Sequence, residues 1–236
     1  MLIYGLQKLS LLDYPGKLAA TIFTGGCNLR CPFCHNATLV TSFTEYERIP
    51  EEEVLAFLEK RKGLLDGVCI TGGEPLLQDD LADFIIKIRE MGFLVKLDTN
   101  GCFPEKLDSL IRRSLVDYVA IDIKNSFDKY PYTVGIPNFD PSPVFKSAEL
   151  LMHGTVPYEF RTTLVRAFHS IEDIEKMGKA VNGAKSYFLQ NFEDSGNLVG
   201  FGGSNNSTQL SGFSAQEMES FRDILAQFAE NVGIRN

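Results

Sequence analysis

Six short apolar runs recur along the chain, alternating with helical patterns, and polar motifs stand at their ends. The runs cover residues 18–24, 67–71, 93–98, 116–123, 158–165 and 186–190. They are short and apolar enough to be strands buried on both faces. Helices are predicted over 50–61, 80–91, 104–113, 143–153 and 170–181. The first has Pro50 at its start and Glu51, Glu52 and Glu53 in its first turn, which suits the helix dipole. The second is closed by Gly92.

Such alternation allows a doubly wound sheet or a partial barrel. A doubly wound sheet gathers its chemistry at one switch point, whereas a barrel collects it from many strand ends. Here a cysteine loop follows the first run, Gly72-Gly73-Glu74 the second, and Asp98-Thr-Asn100 the third. Asp122-Ile-Lys124 ends the fourth, Arg161 lies on the fifth and Gln190 ends the sixth. The expected fold is therefore α/β, an open partial (β/α)6 TIM-type barrel over about residues 16–191. Six units rather than eight leave it unclosed. Residues 125–141 form a long Asn/Asp/Tyr/Pro-rich connection, of a length that is usually functional or disordered. Residues 194–212 are rich in Gly, Ser and Asn and lead to a final helix predicted over 214–230. The expectation is one domain, 1–236, with residues 192–236 as its C-terminal extension.

The cysteine loop is Cys27-Asn-Leu-Arg-Cys31-Pro-Phe-Cys34. Thiols this close together suit a soft metal centre. A structural zinc site takes four ligands, and ordinary ferredoxin-type iron–sulfur cubes use four cysteines. Three thiols would leave one metal position open, as a reactive site requires. A zinc knuckle or a chance cluster in a core is the plain alternative.

The chain has 236 residues, 44% hydrophobic and 23% charged, enough for a sizeable core. A net charge of -8 argues against non-specific nucleic-acid binding. The start of the chain lacks the pattern of a signal peptide, and no apolar run approaches the roughly 20 residues that span a bilayer. Five cysteines, an odd number without a disulfide framework, fit a reducing cytoplasm. Of these, Cys69 reads as a buried strand residue behaving as a small hydrophobe. Cys102 is spaced unlike a ligand. His153 and His169 have no partners visible in the sequence and read as structural.

The triplet Cys-x-x-x-Cys-x-x-Cys, with Phe33 just before its last cysteine, resembles the signature of the radical S-adenosylmethionine superfamily. The resemblance implies a radical SAM barrel in which Cys27, Cys31 and Cys34 hold a [4Fe–4S] cluster. S-adenosylmethionine would then chelate the fourth iron. His35, which tempts as a fourth ligand, is left to loop structure by this reading. The reduced cluster would cleave S-adenosylmethionine to methionine and a 5′-deoxyadenosyl radical, which abstracts a hydrogen atom from the substrate. No side chain need act as an acid or base.

Two glycines allow close backbone approach, and Glu74 can accept hydrogen bonds from an ammonium. Gly72-Gly73-Glu74 matches the family element that binds the amino group of S-adenosylmethionine. Charged residues are rarely buried unpaired, so Asp98, Asp122 and Lys124 at strand ends read as site residues rather than core filler. Both motifs resemble those of glycyl-radical activases, in which the lysine and its polar neighbours hold the methionine carboxylate or the ribose. Asp98 and Asn100 have a plainer role open to them, capping the loop that follows. Asp98 and Asp122 together could hold a cation. Arg161 could grip a carboxylate through two parallel bonds, or form a surface ion pair. Gln190 could reach the ribose hydroxyls, or simply be a polar strand end. Phe33 could cover the cluster or touch adenine, or pack within its loop. Asn36 could meet adenine or cap the next segment.

Cys34-His35-Asn36 and the stretch Leu9-Ser-Leu-Leu-Asp-Tyr-Pro-Gly16 resemble the activating proteins of anaerobic ribonucleoside-triphosphate reductase. A glycyl-radical enzyme is the partner this implies, with a flavodoxin or ferredoxin as electron donor. A bare barrel suits a substrate that brings its own lid, such as a protein loop carrying a glycine. Another glycyl-radical enzyme of the pyruvate formate-lyase type, a small-molecule substrate and a non-enzymatic metal module are the competing readings.

Overall fold

A computed structural model describes residues 1–194, 196–200 and 210–235. Eight strands lie in one sheet in chain order. They are β1 (Ile3–Ser10), β2 (Ala19–Thr24), β3 (Gly67–Gly72) and β4 (Leu94–Thr99). Then follow β5 (Tyr118–Asp122), β6 (Tyr158–Leu164), β7 (Ala184–Asn191) and β8 (Ala229–Arg235). β1 is antiparallel to β2, while β2–β3, β3–β4, β6–β7 and β7–β8 are parallel pairs. The order starts at β1 and ends at β8, an unclosed α/β sheet with the six expected strands as β2–β7.

The helices are α1 (Ala37–Thr41), α2 (Glu51–Glu59), α3 (Leu81–Glu90) and α4 (Pro104–Arg112). After these come α5 (Tyr130–Thr133), α6 (Ser142–Met152), α7 (Ile171–Ala180) and α8 (Ala215–Leu225). Two compact units are defined by contacts. The first comprises Met1–Asn28, Thr38–Thr99 and Glu105–Ala120; the second Leu29–Ala37, Asn100–Pro104 and Ile121–Asn236. In the first, Ile22, Val68, Ile70, Val95 and Leu97 form an apolar core with Leu58 of α2, Phe84 and Ile88 of α3, and Leu107 of α4. In the second, Phe160, Leu164, Tyr187 and Leu189 are buried with Ala148 and Leu151 of α6, Ile174 and Met177 of α7, and Leu225 of α8.

Two strands lie where none was expected. β1 is an edge strand exposed from Gln7 to Leu9, so it lacks the apolar run that marks β2–β7. The last helix was expected to reach residue 230, but it ends at Leu225 and the chain turns into β8. Glu230, Asn231 and Gly233 are poor strand formers. Parallel pairing with β7, from Ala184↔Ala229 to Gln190↔Arg235, overrides that preference. Within the expected 194–212 loop, residues 195 and 201–209 lie outside the described residues.

The 125–141 connection is packed rather than loose. Asn125, Tyr130, Thr133 and Val134 are fully buried, and Asn125 Nδ2 donates to Thr133 Oγ1 (2.8 Å) and to the Phe168 carbonyl (3.0 Å). Among the described residues no helix is long and apolar enough to cross a membrane.

Helix α8 opens with a capping box. Glu217 N–H donates to Ser214 Oγ (3.3 Å) and Ser214 N–H to Glu217 Oε2 (2.8 Å). Replacing the cap, Ser214→Ala, is expected to lower the unfolding free energy by about 1 kcal/mol, read as a shift in the urea midpoint at unchanged m-value.

Candidate functional site

The first unit carries Cys27, Gly72, Gly73, Glu74 and Asp98. Gly72 and Gly73 lie against the chain's own backbone. A Cβ on Gly73 would stand 2.0 Å from the Gly26 carbonyl oxygen, and one on Gly72 would stand 2.2 Å from Thr24 N. Gly72 also has φ +119, which L side chains rarely adopt. The glycines thus serve a close approach between the ends of β2 and β3. Gly73 N–H donates to the Thr24 carbonyl and Glu74 N–H to the Gly26 carbonyl, both at 2.8 Å. Gly26 N–H in turn donates to the Leu39 carbonyl at 2.7 Å. The residue preceding Cys27 is thereby pinned on both sides.

Glu74 is fully buried. Its Oε1 accepts from Leu76 N–H (3.0 Å) and from the Thr99 hydroxyl (2.8 Å), capping the short 3-10 turn Pro75–Leu77. Asp98 is engaged by the ammonium of Lys96, which is 1% exposed and lies 4.0 Å from Cys69 Sγ. Cys69 is buried, as expected, but it has this cation as a neighbour. Lys96 was missed, although a lysine within the run Leu-Val-Lys-Leu was a legible signal.

The second unit carries Cys31, Phe33, Cys34, Asn36, Asn100, Asp122, Lys124, Arg161 and Gln190. Asp122 Oδ2 meets Lys124 Nζ at 3.0 Å, and its Oδ1 accepts from Arg161 Nε at 2.9 Å. Burial alone would raise the Asp122 carboxyl, yet Arg161 and Lys124 hold it well below the usual carboxylate range. Burial would lower the Lys124 ammonium, but Asp122, then Cys31 and Cys34, hold it above its ordinary value. Burial pushes the Cys34 thiol up, opposed by the Asn36 N–H and by Lys124. Asp122, Lys124 and Arg161 thus form one group beside two thiols of the loop.

Two side chains that sequence reasoning did not place in the site hold Lys124 by its backbone. Lys124 N–H donates to the Tyr130 hydroxyl at 3.1 Å. The Lys124 carbonyl lies 2.9 Å from His169 Nε2, which therefore carries the ring proton. Val165 N–H then donates to Nδ1 at 3.1 Å. His169 is structural, as expected, and burial keeps its pKa below the ordinary value. Neither residue had a signal in the sequence: Tyr130 reaches back across a turn of six residues, and His169 arrives from the loop after β6.

The remaining expected residues take quieter positions. Phe33 is buried, its ring 5.6 Å from that of Phe168. His35 lies against the Phe192 ring at 5.5 Å. Asn100 Oδ1 accepts from Cys102 N–H at 3.0 Å, the loop-capping role. Gln190, half-buried, is in register between Thr163 and Arg235. His153 is exposed at the end of α6. Of the two carboxylates expected to hold a cation, Asp98 is engaged by Lys96, and Asp122 by Lys124 and Arg161.

All five cysteines are unbridged. Cys27, Cys31 and Cys34 lie within eight residues and offer the soft donor set that an iron–sulfur cluster takes. Among the described residues no three His, Cys, Asp or Glu side chains are gathered closely enough to hold a metal ion.

Two outcomes follow from this geometry. Gly73→Ala should lower the unfolding free energy by roughly 1–3 kcal/mol, read by urea titration. It should also reduce the iron bound per chain on anaerobic reconstitution, because the added methyl displaces Gly26 next to Cys27. For His169, the unfolded ring binds a proton near 6.5 and the folded ring only at lower pH. The unfolded state then holds more protons, so stability present above 6.5 is lost as pH falls through the folded value. Urea titrations of the cofactor-free protein should show this loss, and His169→Gln should flatten it.

Comparison with known proteins shows the family. The family model described as the radical SAM superfamily matches residues 21–181. A Methanocaldococcus jannaschii protein named as a glycyl-radical enzyme activating enzyme is 39% identical over 197 residues, 81% of this chain and 80% of the relative. The pyruvate formate-lyase-activating enzyme of Listeria monocytogenes is 33% identical over 133 residues, only 52% of either chain. Among solved structures, Streptococcus suis SuiB bound to S-adenosylmethionine shares the fold, with TM-score 0.66 and 14% identity, over 89% of this chain and 48% of that one. A three-cysteine loop after the first parallel strand, a Gly-Gly-Glu turn after the second and an unclosed α/β sheet accompany these matches: the chain belongs to the radical SAM superfamily and, within it, to the glycyl-radical-enzyme activating family.

Proposed function

We propose that this chain cleaves S-adenosylmethionine reductively and installs a glycyl radical on anaerobic ribonucleoside-triphosphate reductase. Cys27, Cys31 and Cys34 hold a [4Fe–4S] cluster in this reading. The cluster, when bound and reduced, supplies the electron that splits the sulfonium into methionine and a 5′-deoxyadenosyl radical. The single observation that carries the reading is the Lys124 ammonium, fixed by Asp122 and standing close to Cys31 and Cys34. An anionic group bound next to the thiol loop would meet that cation.

The chain's own residues then bind and orient. Lys124 and Arg161 receive the methionine carboxylate, and Asp122 sets the direction of both side chains. Gly72, Gly73 and Glu74 receive the amino group, the Glu74 carboxylate fixing the segment through Leu76 and Thr99. The family likeness assigns Gln190 to the ribose and Asn36 to the adenine, with Asp98 and Asn100 among the polar neighbours of the carboxylate or ribose. Phe33 supports the loop by packing on Phe168. A glycine α-hydrogen suits the reaction, because flanking amides stabilise the product radical. The electron comes from a flavodoxin or ferredoxin.

The reductase is favoured by the stretch Leu9–Gly16, which carries the sequence likeness to reductase activators. Its Leu9, Leu11 and Leu12 are 54%, 72% and 86% exposed, an apolar surface of the kind that meets another protein. A pyruvate formate-lyase type partner is the second reading, supported by the name of the Listeria relative. The deciding experiment mixes the anaerobically reconstituted, reduced protein and S-adenosylmethionine with each candidate enzyme, and records electron paramagnetic resonance spectra. A glycyl-radical doublet is expected with the reductase and none with the Cys31→Ala variant. A doublet only with pyruvate formate-lyase would shift the reading to the second partner. Absence of 5′-deoxyadenosine in every mixture would end both.

A further inference from the structure

The C-terminal strand contributes a charge to the Lys124 group. Glu159 on β6 is fully buried and receives two parallel bonds from Arg235 on β8, Nη1 to Oε1 at 2.8 Å and Nη2 to Oε2 at 2.7 Å. The guanidinium also lies over the Phe188 ring, 3.6 Å from its centroid. Gly233 makes room for this. A Cβ there would stand 3.0 Å from Phe188 Cδ1 and Cε1. Arg161 Nη1 lies 3.9 Å from the same Glu159, while its Nε holds Asp122 at 2.9 Å. The order is therefore Lys124, Asp122, Arg161, Glu159, Arg235, alternating in sign across the second unit.

We propose that Arg235 is a positioning residue for the S-adenosylmethionine site: by satisfying both oxygens of Glu159 it leaves Arg161 to Asp122, and so keeps Asp122 and Lys124 in place. A buried carboxylate without its partner cation seeks another. Arg161, whose Nη1 lies 3.9 Å away, is placed to supply it, and moving towards Glu159 takes its Nε away from Asp122. The bidentate geometry is specific to arginine, since lysine offers a point charge with no planar fork. The inference rests on the reading that Lys124 and Arg161 bind S-adenosylmethionine.

The test measures equilibrium binding of S-adenosylmethionine to the cluster-loaded, unreduced protein, so that no turnover is needed, alongside urea unfolding. Arg235→Met is expected to weaken binding by about tenfold, the scale on which supporting residues act on a site. The double variant Glu159→Gln/Arg235→Met should recover affinity to within about threefold of wild type, because no buried charge remains to draw Arg161 away. Should Arg235→Met fail to fold, Arg235→Lys takes its place, with weaker binding again expected and again restored by Glu159→Gln. Wild-type affinity in the Arg235 variants would overturn the inference and leave the binding reading standing. A double variant as weak as the single one would also overturn it, assigning Arg235 to packing alone. A wild-type protein that binds no S-adenosylmethionine would sink the binding reading, and the inference with it.

Discussion

Everything at the cysteine loop begins with a backbone contact that excludes a methyl group. Gly73 meets the Gly26 carbonyl so closely that no other residue fits, and the Glu74 amide donates to that same carbonyl. This contact is the register mark from which the loop departs, because Cys27 is the next residue. Ordinary packing between side chains would let the loop start wander by fractions of an ångström. Two hydrogen-bonded backbones leave far less freedom. Glu74, buried beneath the turn and bound by Thr99, extends the same fixing to the end of β4.

The second unit solves a different problem: how to keep several charges in a poorly solvated place. Desolvation opposes each of them, and isolated buried charges are costly. Alternation in sign is the physical answer. Asp122 lies between Lys124 and Arg161, Glu159 between Arg161 and Arg235, and Arg161 between the two carboxylates. Buried ion pairs of this kind add little net stability, since attraction offsets desolvation. What they add is direction, because a guanidinium bonded through Nε has a defined plane. The backbone of Lys124 is held separately, by neutral groups on Tyr130 and His169.

Much of this was legible in the sequence. The six strands β2–β7 were readable because burial on both faces leaves a continuous apolar run, and their ends carried charges that no core would take unpaired. Edge strands have no such mark. β1 is exposed from Gln7 to Leu9 and β8 contains Glu230, Asn231 and Gly233, so pairing with β2 and with β7 defines them. Gly72 and Gly73 were legible as places of close approach, but not what approaches them. The partners of Asp98 and Asp122 were open in the same way. A carboxylate at a strand end announces a need for positive charge, and only the fold chooses between a lysine and a bound ion. Tyr130 and His169 were silent because the 125–141 connection and the turn after β6 meet Lys124 only in three dimensions.

The neutral state of His169 reaches beyond the anchoring of one carbonyl. Asp122 stays ionised, Lys124 stays protonated, arginine does not lose its proton in proteins, and the imidazole next to them stays uncharged. The thiols aside, each of these shifts favours the charge state that the group already has near neutral pH. A molecule docking there meets a surface whose charge does not drift with its surroundings. Acid–base sensitivity of docking then originates in the visitor or in the Cys31 and Cys34 thiols.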